Sequence, residues 1–101
     1  MSNVHNEQNQ LFFRICSDHL SIEAIPKKRV RVDLDRLRDR ALDRYQIIMW
    51  TPHFAVLKTR KGHEVTIRKD GRMVIRKAGS ESLAREAASE ILQLVLRNFG
   101  E

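Results

Sequence analysis

Apolar and polar positions alternate in several short segments, which is typical of β-strands with one buried face. Leu20, Ile22 and Ala24 alternate with polar residues, and this pattern predicts a strand that ends at Pro26. Residues 45–50 are aromatic and β-branched, which predicts a second strand. Short connections after this strand indicate an antiparallel meander of four strands. The other three strands of the meander are predicted at 53–59, 63–69 and 72–77.

Two other segments have apolar residues at helical spacing. Asp33 is the expected N-cap of the first helix. The second helix is predicted from its N-cap Ser80 to about Leu96, with Gly100 after its end. The apolar faces of the two helices comprise Leu34, Leu37 and Ala41, and then Leu83, Ala84, Ala87, Ala88, Ile91, Leu94 and Val95. The order of elements is strand, helix, four-strand meander and long helix, so the predicted fold class is α+β, with both helices on one face of the sheet.

Alternation inside the meander assigns its side chains to two faces of the sheet. The set expected under the helices is entirely apolar and comprises Ala55, Leu57, Val65, Ile67, Met73 and Ile75. The opposite set mixes charged, aromatic and short side chains and comprises Phe54, Val56, Lys58, Glu64, Thr66, Arg68, Arg72, Val74 and Arg76. Such a face suits nucleic acid, because cations attract phosphates and a ring stacks on bases. It also suits a protein partner, since Arg and Phe are favoured in protein interfaces.

The net charge of the chain is concentrated in the meander. The chain of 101 residues has 19 Lys and Arg against 13 Asp and Glu, which gives a net charge of +6. Residues 53–77 contain eight basic and two acidic residues, so the whole excess lies in this stretch. We therefore expect DNA or RNA as the partner, with an acidic protein as the alternative. A solvated basic surface that only maintains solubility would have the same composition.

Length and the cysteine count predict a single domain in a reducing compartment. Residues 1–10 are polar and are expected to form a disordered tail, and residues 11–101 are expected to form one domain. No apolar run is long enough to cross a membrane, and the first residues do not resemble a secretory signal. The chain has one cysteine, so it cannot form an internal disulfide framework. We expect a cytoplasmic protein, associated with the nucleoid or located in the nucleus if it binds DNA.

Catalytic and metal-binding signatures are weak in this sequence. Cys16 and His19 have the spacing C-x-x-H, but a zinc site needs three or four ligands and no second pair follows. His53 and His63 lie in a basic stretch that repels a metal cation. Carboxylates of the first helix are interleaved with arginines, which is typical of a solvated helix surface. We expect a binding module that is not an enzyme and needs no cofactor.

Short strings in the second half of the chain point to a known family. They are Phe54-Ala55-Val56, Asp70-Gly71-Arg72-Met73-Val74, Ala78-Gly79-Ser80-Glu81-Ser82 and Ala87-Ala88. With these strings the chain resembles one repeat of the TATA-box-binding protein family. The resemblance implies a half-saddle, in which the concave face of a curved antiparallel sheet meets the DNA minor groove and two helices lie on the convex side. Members of the family carry two such repeats, whereas this chain has room for one.

Differences from the family change what the resemblance implies. A single repeat exposes a sheet edge, so we expect two chains to pair about a two-fold axis as a homodimer that rebuilds the saddle. Phe54 matches one of two paired phenylalanines, Arg68 stands in place of the other, and Arg76 replaces a small polar residue. We therefore predict phosphate contacts with weak sequence preference. The predicted contact residues are Phe54, Val56, Lys58, Arg60, Arg68, Arg72, Val74 and Arg76.

Overall fold

In the computed structural model, six antiparallel strands form an open sheet, and two helices pack against it. The structure describes residues 11–15, 21–76 and 80–99, with side chains of the last helix described as far as residue 94. The elements are β1 (Leu11–Ile15), β2 (Ser21–Pro26), α1 (Leu34–Ala41), β3 (Gln46–Trp50), β4 (Phe54–Lys58), β5 (Glu64–Arg68), β6 (Met73–Arg76) and α2 (Glu81–Phe99). The spatial order of the strands is β1-β2-β6-β5-β4-β3. This architecture confirms the predicted α+β class.

The structure confirms the meander and both helices and adds a strand that the sequence pattern did not predict. β1 pairs with β2 along its whole length, from Leu11 opposite Pro26 to Ile15 opposite Ile22. The expectation of a single strand before the first helix was therefore wrong. The sequence pattern did not reveal β1 because Phe12 is an apolar side chain that is exposed, and it interrupts the alternation by which a half-buried strand is detected.

Several of the predicted features lie outside the described residues. They are the tail at 1–10, Cys16, His19, Leu20, Lys77, the pair Ala78-Gly79, and Gly100.

Each helix begins at the N-cap residue that the sequence predicts. The Asp33 carboxylate accepts hydrogen bonds from the backbone N–H groups of Asp35 at 3.0 Å and Arg36 at 3.2 Å. The Ser80 hydroxyl accepts a hydrogen bond from the N–H of Leu83 at 3.2 Å. These contacts satisfy backbone donors that the first turn of a helix leaves without partners, and so they fix where each helix starts.

The hydrophobic core lies between the helices and one face of the sheet. The six meander side chains predicted to lie under the helices are all fully buried. The helices contribute Leu34, Leu37, Ala41, Ala84, Ala88 and Ile91 to the same cluster. Because α2 presents small alanine side chains to the sheet, its backbone can approach β2 and β6 closely. Both helices are therefore on one side, and the other face of the sheet carries the side chains of interest.

Tyr45 links the end of α1 to α2. Its hydroxyl donates a hydrogen bond to Oε1 of Glu90 at 3.0 Å. Burial raises the pKa of the Tyr45 hydroxyl, and the charge of Glu90 and the hydrogen bond to it raise this pKa further. The Tyr45 hydroxyl of the unfolded chain has the ordinary tyrosine pKa of 10.0 and loses its proton above this pH. The folded protein keeps the proton there.

This shift predicts a loss of stability in alkaline solution. Below pH 10 Tyr45 is neutral in both states, and above it the unfolded state gains stability by releasing the proton, so the free energy of unfolding falls. Tyr45→Phe removes this titration, and Tyr45 is the only tyrosine of the chain. The stability advantage of the native chain over Tyr45→Phe should shrink between about pH 9 and pH 11, as measured by urea unfolding. An advantage that does not change with pH would contradict the shift.

Candidate nucleic-acid interface

The sheet face opposite the helices is uncovered within the described part of the chain, and we call it the open face. Directly paired residues of antiparallel strands point to the same side, so its side chains form rows across the strands. The first row, from β1 to β4, comprises Phe12, Ile25, Arg72, Arg68 and Phe54. The central row comprises Arg14, Glu23, Val74, Thr66, Val56 and Met49. The third row comprises Ser21, Arg76, Glu64, Lys58 and Gln46.

Seven of the eight predicted contact residues belong to the open face. The cations among them are exposed, and Phe54, Val56 and Val74 are half-buried between neighbouring side chains. Arg60 is placed elsewhere: it lies in the loop between β4 and β5 and lines a cavity on the helix side of the sheet. The alternation pattern therefore located the residues of the strands, and it did not apply to the loop.

Two of the predicted phosphate contacts are engaged by carboxylates. Nη2 of Arg68 lies 2.9 Å from Oδ2 of Asp70, and Nη1 of Arg72 lies 3.8 Å from Oε2 of Glu23. Glu23 also pairs with Arg14 and has a side chain that is only 16% exposed. Exposed ion pairs are worth about 0–1 kcal/mol, so an arginine can exchange such a partner for a phosphate at little cost. Glu23 nevertheless places a negative charge near the middle of the open face.

Two other cations are available to a ligand without breaking an ion pair. Within the described residues, no carboxylate forms an ion pair with the ammonium group of Lys58 or the guanidinium group of Arg76. Both side chains are exposed, and both lie in the third row, on either side of Glu64. Of the predicted phosphate contacts on the open face, these two side chains are the ones that form no ion pair in the described part of the chain.

The structure adds Phe12 to the open face, a residue that the sequence reasoning did not select. Its ring is 58% exposed, and Nζ of Lys27 lies 5.1 Å from the ring centroid. Phe12 and Phe54 stand at opposite ends of the first row, four strand spacings or roughly 19 Å apart. In β1, Leu11 and Phe13 alternate with Phe12 and Arg14, and the apolar Phe12 on the open face hides this alternation in the sequence.

The described part of the chain shows little sign of a metal site or of a membrane span. No group of three His, Cys, Asp or Glu side chains in that part is arranged to hold a metal ion. None of the described helices has the length and apolar character needed to cross a membrane.

Comparison with known proteins finds no matching family model, no similar curated protein and no similar solved structure. The function is therefore inferred from the geometry and charge of the open face and from the sequence strings described above.

Proposed function

We propose that this chain is a non-enzymatic nucleic-acid-binding module that holds DNA or RNA on the open face. The observation that carries the proposal is a sheet face that is uncovered within the described part of the chain. On this face Lys58 and Arg76 are exposed and form no ion pair with any described residue, and Phe54 and Phe12 present their rings. Phosphates would be neutralised at the cations, and bases would stack on the rings. Antiparallel strands fix the spacing of the backbone positions that carry these groups.

Weak sequence preference is part of the proposal. Base recognition requires side chains with free hydrogen-bonding groups aimed at base edges, and phosphate contacts by themselves carry no sequence information. Arg68 and Arg72 are held by carboxylates, and the centre of the face is formed by the short side chains Val56, Thr66 and Val74. We also propose that the chain has the half-saddle fold of a TATA-box-binding repeat. The sequence strings and the order of elements from β2 to α2 support this proposal.

A homodimer that pairs along β1 completes the proposal. The two edges of the sheet are β1 and β3. β3 has a register shift between Ile47 and Met49, and such a bulge opposes pairing with another strand. β1 is regular, and its Phe12 and Ile15 are 58% and 54% exposed. Antiparallel pairing of two β1 strands would cover this edge and join two open faces into one continuous surface.

Charge reversal at Lys58 and Arg76 tests the interface. We expect Lys58→Glu with Arg76→Glu to weaken binding of duplex DNA, single-stranded DNA and RNA at least about tenfold in low salt, and to reduce the slope of log affinity against log salt by about 2. Fluorescence anisotropy over a salt series measures both quantities. Arg38→Glu with Arg40→Glu is the matched control, because these exposed arginines on α1 change the net charge equally away from the open face.

Three outcomes would contradict parts of this proposal. Unchanged affinity of the Lys58 and Arg76 variant, or an equal loss in the α1 control, would remove the open face as the binding surface. Capture of a defined acidic protein without affinity for any of the three nucleic acids would favour an adaptor role. Light scattering on the same samples gives the mass, and a value near the 11.8 kDa of one chain would contradict the homodimer.

A further inference from the structure

A cavity of about 510 Å³ lies on the helix side of the sheet, away from the open face. Its walls come from the segment between α1 and β3, the loop between β4 and β5, and the part of α2 from Leu83 to Gln93. This volume falls within the range of about 300–1,000 Å³ that is usual for small-molecule sites in proteins. The cavity is therefore large enough for a ligand of the size of a metabolite.

The cavity is lined by three cations and by two carboxylates, Glu86 and Glu90. Arg44, Arg60 and Lys61 line it, and Nζ of Lys61 lies 3.3 Å from Oε1 of Glu86. In the described part of the chain, the guanidinium groups of Arg44 and Arg60 have no hydrogen-bond or ion-pair partner. A guanidinium has five N–H donors and matches phosphate oxygens in bidentate geometry. Two such groups at one cavity favour an anionic ligand.

His63 adds a buried polar group to the same cavity. Its side chain lines the cavity, and the residue is only 5% exposed. The backbone N–H of His63 donates to Oγ1 of Thr59 at 3.1 Å, which fixes the residue at the start of β5. No described residue forms a hydrogen bond with its imidazole, and the imidazole nitrogens keep access to the solvent in the cavity. A ligand in the cavity therefore has this imidazole within its reach as a hydrogen-bonding group.

The wall formed by α2 has a different character. Leu83 and Ala87 present apolar surface to the cavity, and Glu90 accepts its hydrogen bond from the Tyr45 hydroxyl. The cavity thus combines an apolar wall with two guanidinium groups that form no ion pair with any described residue. An organic molecule with one strongly anionic group fits this combination better than an inorganic ion does, because an ion alone would leave the apolar wall in contact with water.

We propose that this cavity binds a small organic phosphate, with Arg44 and Arg60 contacting the phosphate oxygens and His63 forming a further hydrogen bond. A phosphomonoester carries about −1.5 to −2 charges at neutral pH and three strong acceptor oxygens, so it can satisfy both arginines and the imidazole at once. A carboxylate carries one charge and fewer acceptor oxygens. The organic part packs against Leu83 and Ala87. This site is separate from the proposed nucleic-acid interface and does not depend on it.

Isothermal titration calorimetry of the full chain with adenosine 5′-monophosphate, inorganic phosphate, acetate and adenosine tests this site. We expect the monophosphate to bind more tightly than inorganic phosphate and acetate, and adenosine to show no binding. Arg44→Gln with Arg60→Gln should lower the affinity for the monophosphate by about tenfold or more, since each charged hydrogen bond that is lost reduces the affinity. Arg29→Gln with Arg38→Gln is the matched control, because it removes the same charge from exposed arginines outside the cavity.

Variants of His63 test its hydrogen bond to the ligand separately. If the charges of the arginines alone attracted the ligand, its affinity would not depend on His63. His63→Gln retains a side-chain hydrogen-bond donor and should lose less affinity than His63→Leu, with circular dichroism used to verify that both variants fold. The proposal is overturned if neither phosphate binds, if acetate binds as tightly as the monophosphate, or if the control pair causes an equal loss. Because Arg44 and Arg60 lie away from the open face, their variant should bind nucleic acid as the native chain does, and this separates failure of one site from failure of the other.

Discussion

Replacement of Ile67 by alanine is expected to lower the free energy of unfolding by about 2–5 kcal/mol. Ile67 is fully buried in β5, where it is paired with Ala55 of β4 and Met73 of β6. Hydrogen bonds to both neighbouring strands hold the backbone in place, so the sheet cannot close the cavity that the substitution leaves. A domain of this size is stable by about 5–15 kcal/mol, so the variant loses a large part of its stability. Urea unfolding followed by circular dichroism measures the loss.

Ile48 provides a control with the same chemical change. It is 45% exposed and lies at the register shift of β3, so its side chain contributes little to the core. Ile48→Ala is expected to change the free energy of unfolding by about 0.5 kcal/mol or less. Losses of similar size at both positions would contradict the assignment of the buried and open faces, and the proposed interface depends on that assignment.

The assignment of faces could be predicted because three of the four meander strands, β4, β5 and β6, carry a local signal. In β5, the buried Val65 and Ile67 alternate with Glu64, Thr66 and Arg68 on the other face, and β4 and β6 follow the same rule. A period of two residues is a property of the extended backbone and does not depend on what surrounds the strand.

Helix starts were predictable for a similar reason. The side chains of Asp33 and Ser80 bond to backbone groups only two or three residues ahead, so the whole contact is contained in a few residues of sequence.

Contacts between distant parts of the chain could not be predicted in this way. The ion pair between Arg72 and Glu23 depends on the register of β2 against β6, which are separated in sequence by residues 27–72. β1 gives a weak signal because both of its faces carry aromatic rings, Phe12 on the open face and Phe13 against Arg85 of α2. Register and edge position are decided by tertiary packing, and local pattern specifies them only where one face is clearly polar.

The positive charges between residues 53 and 77 form one continuous stretch in the sequence, but the fold divides them between two separate surfaces. Lys58 and Arg76 face the open side of the sheet, whereas Arg60 and Lys61 turn with the β4–β5 loop toward α2. Because the sheet and its core separate these surfaces, a ligand on one of them does not directly contact the other. A charge count alone would have assigned all of these residues to a single nucleic-acid surface.

The two described glycines with positive φ are expected to respond differently to alanine. Gly62 has φ 91° and Gly71 has φ 87°, a region in which a side chain costs about 1–2 kcal/mol. At Gly62 an added Cβ would have no heavy atom within 4 Å, so Gly62→Ala should show the backbone cost alone. At Gly71 the same atom would lie 3.0 Å from Cγ of Pro26 and 3.2 Å from Cβ of Val30. These contacts are too short to be accommodated without movement.

Gly71→Ala should therefore lower the free energy of unfolding by about 2–4 kcal/mol, clearly more than Gly62→Ala, because overpacking adds to the backbone cost. The turn cannot easily move away, since Lys69 beside it accepts a hydrogen bond from the N–H of Val32 at 2.8 Å. Urea unfolding of both variants gives the comparison directly. Equal losses would mean that the β5–β6 turn does not pack against the segment after β2. Arg68 and Arg72 flank this turn on the open face. Without the contacts at Pro26 and Val30, the turn would hold these two arginines less firmly in position.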